Sequence, residues 1–390
     1  MNVLREYFGR NVRQYGIVLA LLLIVLLFQL LTDGRLLAPN NIAALFMQNA
    51  YVMILAIGMV AVIVAGHIDL SVGSVVAFIG GLVAIMMHNW GWSVPLAILA
   101  ALVVGALVGA WQGFWIAFVG IPAFIVTLAG MLIFRGLAIV LVGQTIAPLP
   151  SSFNRIGNGS VANFLGFAGQ MDVVTLVIGV IAIVGLVVSQ VRARANLIKH
   201  ELTVEVFGVF IGKLVVMGAL IALVTYWLSL SRGGTPIILL IVGVLVLGFT
   251  FLMNRTVFGR HVYAVGGNRN AAILSGVSAR NVDFMLFVNI GLLSAVAAIA
   301  TTARAGAGVA AAGQNFELDA IAACFIGGTA VAGGVGKISG AMIGALIMGV
   351  LNMGLSILAV DAAWQQAIKG LVLLLAVALD IVSKRKGALR

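Results

Sequence analysis

What most limits this chain is a succession of apolar runs, many of them long enough to cross a bilayer, from near its start to near its end. The runs cover roughly 16–31, 43–65, 72–87, 94–118, 123–142, 173–189, 213–230, 236–253, 285–303, 338–358 and 365–382. About twenty apolar residues in α-helix cover the hydrocarbon thickness of a membrane. No run alternates polar with apolar residues, which excludes a β-barrel. Helices remain, because only these two structures satisfy every backbone group in lipid. Composition agrees: 63% of the 390 residues are hydrophobic and 8% charged, whereas a soluble domain carries about 25% charged residues to face water. The 48 glycines suit helices whose backbones approach closely where no hydrophobic force acts between them.

The net charge of +11 does not point to nucleic acid, because the basic residues lie in short stretches between apolar runs rather than on one face. Cytoplasmic loops of membrane proteins have this pattern. Arg5, Arg10 and Arg13 precede the first run, and LTDGRLLAPNN follows it without a small-residue cleavage pattern. The first run is therefore expected to be a retained span with the N-terminus inside, not a signal peptide. Arg192, Arg194, Lys199 and Lys213 mark one inner loop, and Arg255, Arg260, Arg269 and Arg280 mark another. Lys384, Arg385, Lys386 and Arg390 place the C-terminus inside as well.

Two inner termini require an even number of crossings. The eleven clear runs are odd in number, so the short run around 320–333 is expected to cross too, or to be a broken or re-entrant segment. The expectation is an all-α polytopic membrane protein of ten to twelve transmembrane helices, with twelve preferred, forming one domain over 1–390. The stretch 143–171, with Pro148, Pro150, Asn154, Asn158 and Asn163, is read as a structured external loop, and 254–284 as a cytoplasmic one. Gly-rich interruptions near 66–73 and 305–336 hint loosely at the internal repeats of transporters.

Polar residues within or beside the runs are the candidates for function. In GHIDLSVGS, His67, Asp69 and Ser71 are open to two readings: an N-cap and turn at the membrane surface, or a broken helix lining a cavity, with Gly66 and Gly73 as backbone breaks. Arg135, about one turn past the middle of its run, has to snorkel or find a partner. Thr127 can satisfy its hydroxyl on its own helix, and Gln112 is a candidate for a lining. Glu317 and Asp319 lie beside Gln314 and Asn315 and precede Gly327-Gly328 and Gly333-Gly334. They can serve as a cap, a gate or a ligand contact; no positioned His or nucleophile makes them a catalytic pair. Cys324, the single cysteine, lies in an apolar run as packing. The candidate pathway residues are therefore His67, Asp69, Ser71, Gln112, Thr127, Glu317 and Asp319.

The chain has no GxxxxGKS/T loop, so it carries no ATP-hydrolysing module of its own, and apart from Asp69 its spans hold almost no acidic groups for a proton relay. Either transport is passive or sodium-driven, or the energy arrives from another subunit.

Four stretches in order, AIGMVAVIVAGHIDLSVGSVVAF, GIPAFIVTLAGMLIFRGLAIVL, TVFGRHVYAVGGNRNAAILSGV and ELDAIAACFIGGTAVAGGVGKISGAMIGALIM, resemble the membrane permease subunit of bacterial ABC importers for monosaccharides. The resemblance runs over nearly the whole chain and is nearest to the xylose and multiple-monosaccharide branch. It implies the ABC importer permease fold and two copies forming a homodimer in the bacterial cytoplasmic membrane. It also implies a cytoplasmic ABC ATPase subunit that binds the ATP, a periplasmic sugar-binding protein, and no catalytic, metal or cofactor site on this chain. A coupling helix to the ATPase is implied at Asn270, Ala271, Ala272, Leu274, Ser275 and Gly276. The residues support it separately, since a short helix-like run stands there between Gly267 and Gly276. The competing expectations are a secondary or passive small-solute transporter working without an ATPase, and a scaffold subunit that moves no solute.

Overall fold

The computed structural model describes residues 2–388, and side chains within 16–378. The chain passes back and forth between two ends of a helical bundle. The passes are α1 (Asn2–Leu31), α2 (Pro39–Val64), α3 (Val72–His88), α4 (Val94–Phe114) and α5 (Ala123–Val142), then α7 (Val173–Lys199), α8 (Phe207–Ser229), α9 (Ile237–Arg255) and α12 (Ala279–Ala305), and last a segment containing α13 (Phe316–Ile326), α14 (Ile338–Ile357) and α15 (Ala362–Ala388). Among the described residues, eight helices are long and apolar enough to cross a membrane, and three shorter apolar helices accompany them.

One end of the bundle holds α6 (Ser151–Asn158) and a hairpin of β1 (Phe167–Ala168) and β2 (Met171–Asp172). Gly308 bridges Ile146 there, and Ser160 bridges Pro236. At that end Asp172 caps α7: its carboxylate accepts from the Val174 N–H at 3.2 Å and the Thr175 hydroxyl at 2.6 Å. Thr175 in turn accepts from the Thr235 N–H at 2.8 Å, tying α7 to the start of α9. The other end holds α10 (Val257–Gly267) and α11 (Arg269–Leu274).

Burial separates the central helices from the lipid-facing ones. Within its apolar window α2 is 89% buried, and α8 only 6%. The exposed faces of α4, α5, α7, α8 and α9 carry Leu107, Leu132, Ile181, Val215 and Leu247, side chains that lipid solvates and water does not. Helices α4 and α12 pack closely along their length. Gly105, Gly109 and Gly113 repeat every fourth residue, so they share one face. That face meets Gly291 and the carbonyls of Phe284 and Phe287, as small residues let membrane helices do.

Regular helix gives way in two places. Between α2 and α3 the chain turns through 65–71, with Gly66 at φ +89°. Gly73, expected from sequence as a second break, lies instead inside α3, where the Gly313 backbone and the Glu317 side chain leave no room for a Cβ. The run expected at 320–333 is helical only as the 11 residues of α13, about 16 Å at 1.5 Å per residue and half a bilayer. Gly328, Gly333 and Gly334 have φ of +87°, +81° and +73°, so the chain cannot continue as a right-handed helix there. Residues 306–315 supply the rest of that pass in extended and turned form, from Gly308 beside Ala84 to Gly313 beside Gly73.

Candidate functional site

The two interruptions meet. The Val64 carbonyl at the end of α2 accepts from the Gly334 N–H at 2.8 Å, and the start of α3 packs against Gly313 and Glu317. Around this junction lie most of the polar groups singled out from sequence.

Asp69, Ser71 and Gln112 form one buried chain. The Asp69 carboxylate accepts from the Ser71 N–H and the Ser71 hydroxyl, both at 2.7 Å, and Gln112 Nε2 donates to the Ser71 oxygen at 2.7 Å. Ser71 stands at the N-cap position of α3, but its hydroxyl bonds Asp69 and caps no helix N–H. Thr127 touches this knot only at its edge, with Oγ1 3.4 Å from the Ile68 carbonyl and 3.5 Å from its own helix at Phe124. All four residues are buried. A buried carboxylate needs such donors, because leaving it unpartnered away from water is costly. Gly130 gives Gln112 its room, since a Cβ there would meet Nε2.

His67 points elsewhere. Its Nε2 lies 3.1 Å from Asp283 Oδ1 on α12, and Arg269 Nη2 of α11 donates to Asp283 Oδ2 at 2.6 Å. The Asp283 side chain is 1% exposed.

Glu317 and Asp319 are two residues apart on a helix and so face different ways. Glu317 stands against Gly73. Asp319 accepts from the Tyr51 hydroxyl at 2.7 Å and from Lys369 Nζ at 3.1 Å, and the Tyr51 ring stacks on Phe316 with centroids 3.6 Å apart. Asn315, Asp319, Gln366 and Lys369 border a cavity of about 200 Å³ between α13, α14 and α15, with Leu318 and Met348 on its apolar side. Arg135 finds its partners on backbone: its guanidinium donates to the carbonyls of Ala310 at 3.1 Å and Ala312 at 2.7 Å. That is a reason for the chain to hold its unwound course at 306–315. Cys324 is buried, with Sγ 3.6 Å from the Ala56 carbonyl.

The run between Gly267 and Gly276 is the helix α11. Asn268 starts it by accepting from the Ala271 N–H at 3.0 Å. Gly276, at φ +86°, ends it with the two backbone bonds of a Schellman turn, Gly276 to Ile273 and Val277 to Ala272. Ala272 is buried; Asn270, Ala271 and Ser275 are exposed, and Leu274 is 89% exposed. Leu274 is thus held out from a short, doubly capped helix and adds nothing to the core. Next to it, the Tyr263 hydroxyl donates to the Gly336 carbonyl at 2.7 Å. Burial raises the Tyr263 pKa above its ordinary value, so the phenol stays a donor.

Tyr51, Tyr263, Asp283 and Lys369 are not among the candidates expected from sequence. Asp283 and Lys369 carried a signal, each being a charge beside or within an apolar run. Tyr51 and Tyr263 left none, because the groups they bond, Asp319 and the Gly336 carbonyl, are distant in sequence.

A bundle of apolar helices whose deep polar groups gather at two touching interruptions is the arrangement of a membrane transport protein. Residues 41–377 match the family described as branched-chain amino acid transport system / permease component, and the chain belongs to that family. It is 41% identical to the xylose transport system permease protein of Escherichia coli K12 over 377 residues, 96% of this chain and 93% of that one. With the protein of the same description from Haemophilus influenzae the identity is 40%, over 96% and 98%. The ribose import permease protein of E. coli K12 is 32% identical over 379 residues, 96% of each chain. No solved structure matches.

Proposed function

We propose that this chain is the membrane permease subunit of an ATP-driven, binding-protein-dependent importer of monosaccharides, with xylose or a related sugar as its cargo. The observation that carries this reading is the likeness to xylose permeases, at 40–41% identity over 96% of the chain. The family description speaks of amino acids, but these long matches are to sugar permeases. ATP is bound and hydrolysed on a separate ABC ATPase, and this chain holds no cofactor and is not an enzyme.

The ATPase docks at α11, through Leu274 and its exposed neighbours. The α10 end faces the cytoplasm, together with both termini, because Arg192, Arg194, Lys199, Arg255 and Arg260 gather on it. The α6 end faces the periplasmic binding protein across the inner membrane. A second copy of the chain completes the pathway. Asn315, Asp319 and Lys369 are polar groups at membrane depth around a cavity, and such groups face protein or water rather than lipid. Asp69, Ser71, Gln112, Thr127 and Glu317, at or beside the two interruptions, are the further pathway residues of this reading. His67 lies at the interruption between α2 and α3.

The test is purification of the tagged chain from its native bacterium, with mass spectrometry of what accompanies it. An ABC ATPase that co-purifies, and is released when 267–277 is altered, supports the reading. A folded chain that carries no ATPase and moves solute alone in liposomes refutes it.

A further inference from the structure

The α10–α11 loop is fastened to both interruptions, by different means. Toward 65–71 the fastening runs through Asp283, 1% exposed: Arg269 of α11 pairs with its Oδ2 at 2.6 Å, and His67 Nε2 lies against its Oδ1 at 3.1 Å. Toward 327–337 it is backbone on backbone. Gly266 lies against the Val64 carbonyl and Gly334, with no room for a Cβ, and Tyr263 bonds Gly336. Ala272 is the one buried residue of α11, so the helix has little else to anchor it.

We propose that Asp283 is a positioning residue that transmits displacement of α11 to the turn between α2 and α3, and so to the Asp69–Ser71–Gln112 knot; this rests on the permease reading above. A buried carboxylate resists losing its ion-pair partner Arg269, because the charge left behind has no solvent, and the His67 ring packed on its other oxygen moves with it. When Arg269 moves with α11, Asp283 follows or strips its own partner, and His67 is carried with it. The glycine seam has no side chains to slide past one another, so the second interruption moves in the same stroke. A coupling claim needs an element that both sites bias. Here it is the pair of interruptions, joined to each other at Val64 and Gly334.

The experiment reconstitutes the permease with its ATPase and binding protein in liposomes and counts sugar imported per ATP hydrolysed. Asp283→Asn keeps the shape of the side chain and removes its charge. The expected result is that the ATPase still co-purifies while sugar per ATP falls by about tenfold, within the usual range of coupling between sites. Arg269→Ala lowers the ratio similarly, Arg269→Lys restores much of it, and the Arg269→Ala, Asp283→Asn double variant is no worse than either single one. Arg269 is 43% exposed, so its alanine variant decides the matter if Asp283→Asn fails to fold. A wild-type ratio in either folded variant, or additive losses in the double variant, overturns the proposal. A wild-type chain that neither retains an ATPase nor imports sugar overturns the permease reading and this proposal with it.

Discussion

Gly109→Ala tests whether the α4–α12 seam is as close as the structure has it. A Cβ at Gly109 would stand 2.9 Å from the Phe287 carbonyl carbon and the Val288 Cα, and closer still to the Phe287 oxygen. Ordinary contact begins near 3.4 Å, and the opposing atoms are backbone that cannot rotate away. The helices must part, and a gap of about 0.5–1 Å forfeits a quarter to a half of the attraction at each contact along the seam. Overpacking of this kind costs about 1–3 kcal/mol. Replacing glycine by alanine within a helix returns about 1 kcal/mol. With rigid backbone on the far side the upper part of the range applies, for a net loss of about 2 kcal/mol. Gly248→Ala in α9 is the control: nothing lies within 4 Å of its added methyl, so it gains the helix term alone. The assay is heating of detergent-purified protein followed by size-exclusion chromatography of what stays folded. Gly109→Ala is expected to melt below wild type and Gly248→Ala at or above it. A Gly109→Ala protein as heat-stable as wild type would refute the close seam.

Three further perturbations follow from single contacts. Lys369→Met leaves Asp319 buried with Tyr51 alone and should destabilise the protein by about 3 kcal/mol, as breaking a buried pair does; adding Asp319→Leu should recover at least half of the lost melting temperature. Asp172→Ala removes the cap of α7 and the Thr175 bond, for a loss of about 1–2 kcal/mol in the same heating assay. Leu274→Arg should shift stability by no more than about 0.5 kcal/mol, because the side chain is solvent-exposed, and should abolish co-purification of the ATPase; a retained ATPase would remove Leu274 from the docking surface.

Much of the architecture is legible in the sequence because a bilayer demands long apolar helices, and the runs 94–118 and 123–142 report the spans Val94–Val119, whose last turn past α4 is a π-helix, and Ala123–Val142 almost to the residue. The helix α11 is legible for another reason, since Asn268 and Gly276 are local stop signals that need no tertiary partner. The half-length of α13 is hidden. GGTAVAGGVG is apolar by composition, and only backbone torsion at Gly328, Gly333 and Gly334 separates it from a span. Gly73 misleads in the opposite way, because glycine marks a break and a close approach with the same letter. The fastening of His67 to Asp283 joins residues more than two hundred positions apart, and no local spacing encodes it. Thr127 and Gln112 both read as lining candidates, yet Gln112 bonds Ser71 within the buried knot while Thr127 only borders it.

The most direct test of the account is uptake of radiolabelled xylose into liposomes holding the purified chain, with its ATPase and sugar-binding protein present or left out in turn. The account expects accumulation only when ATP, the ATPase and the binding protein are all supplied, and none from the chain alone. Uptake by the chain alone, or uptake driven by a sodium gradient without ATP, would contradict it.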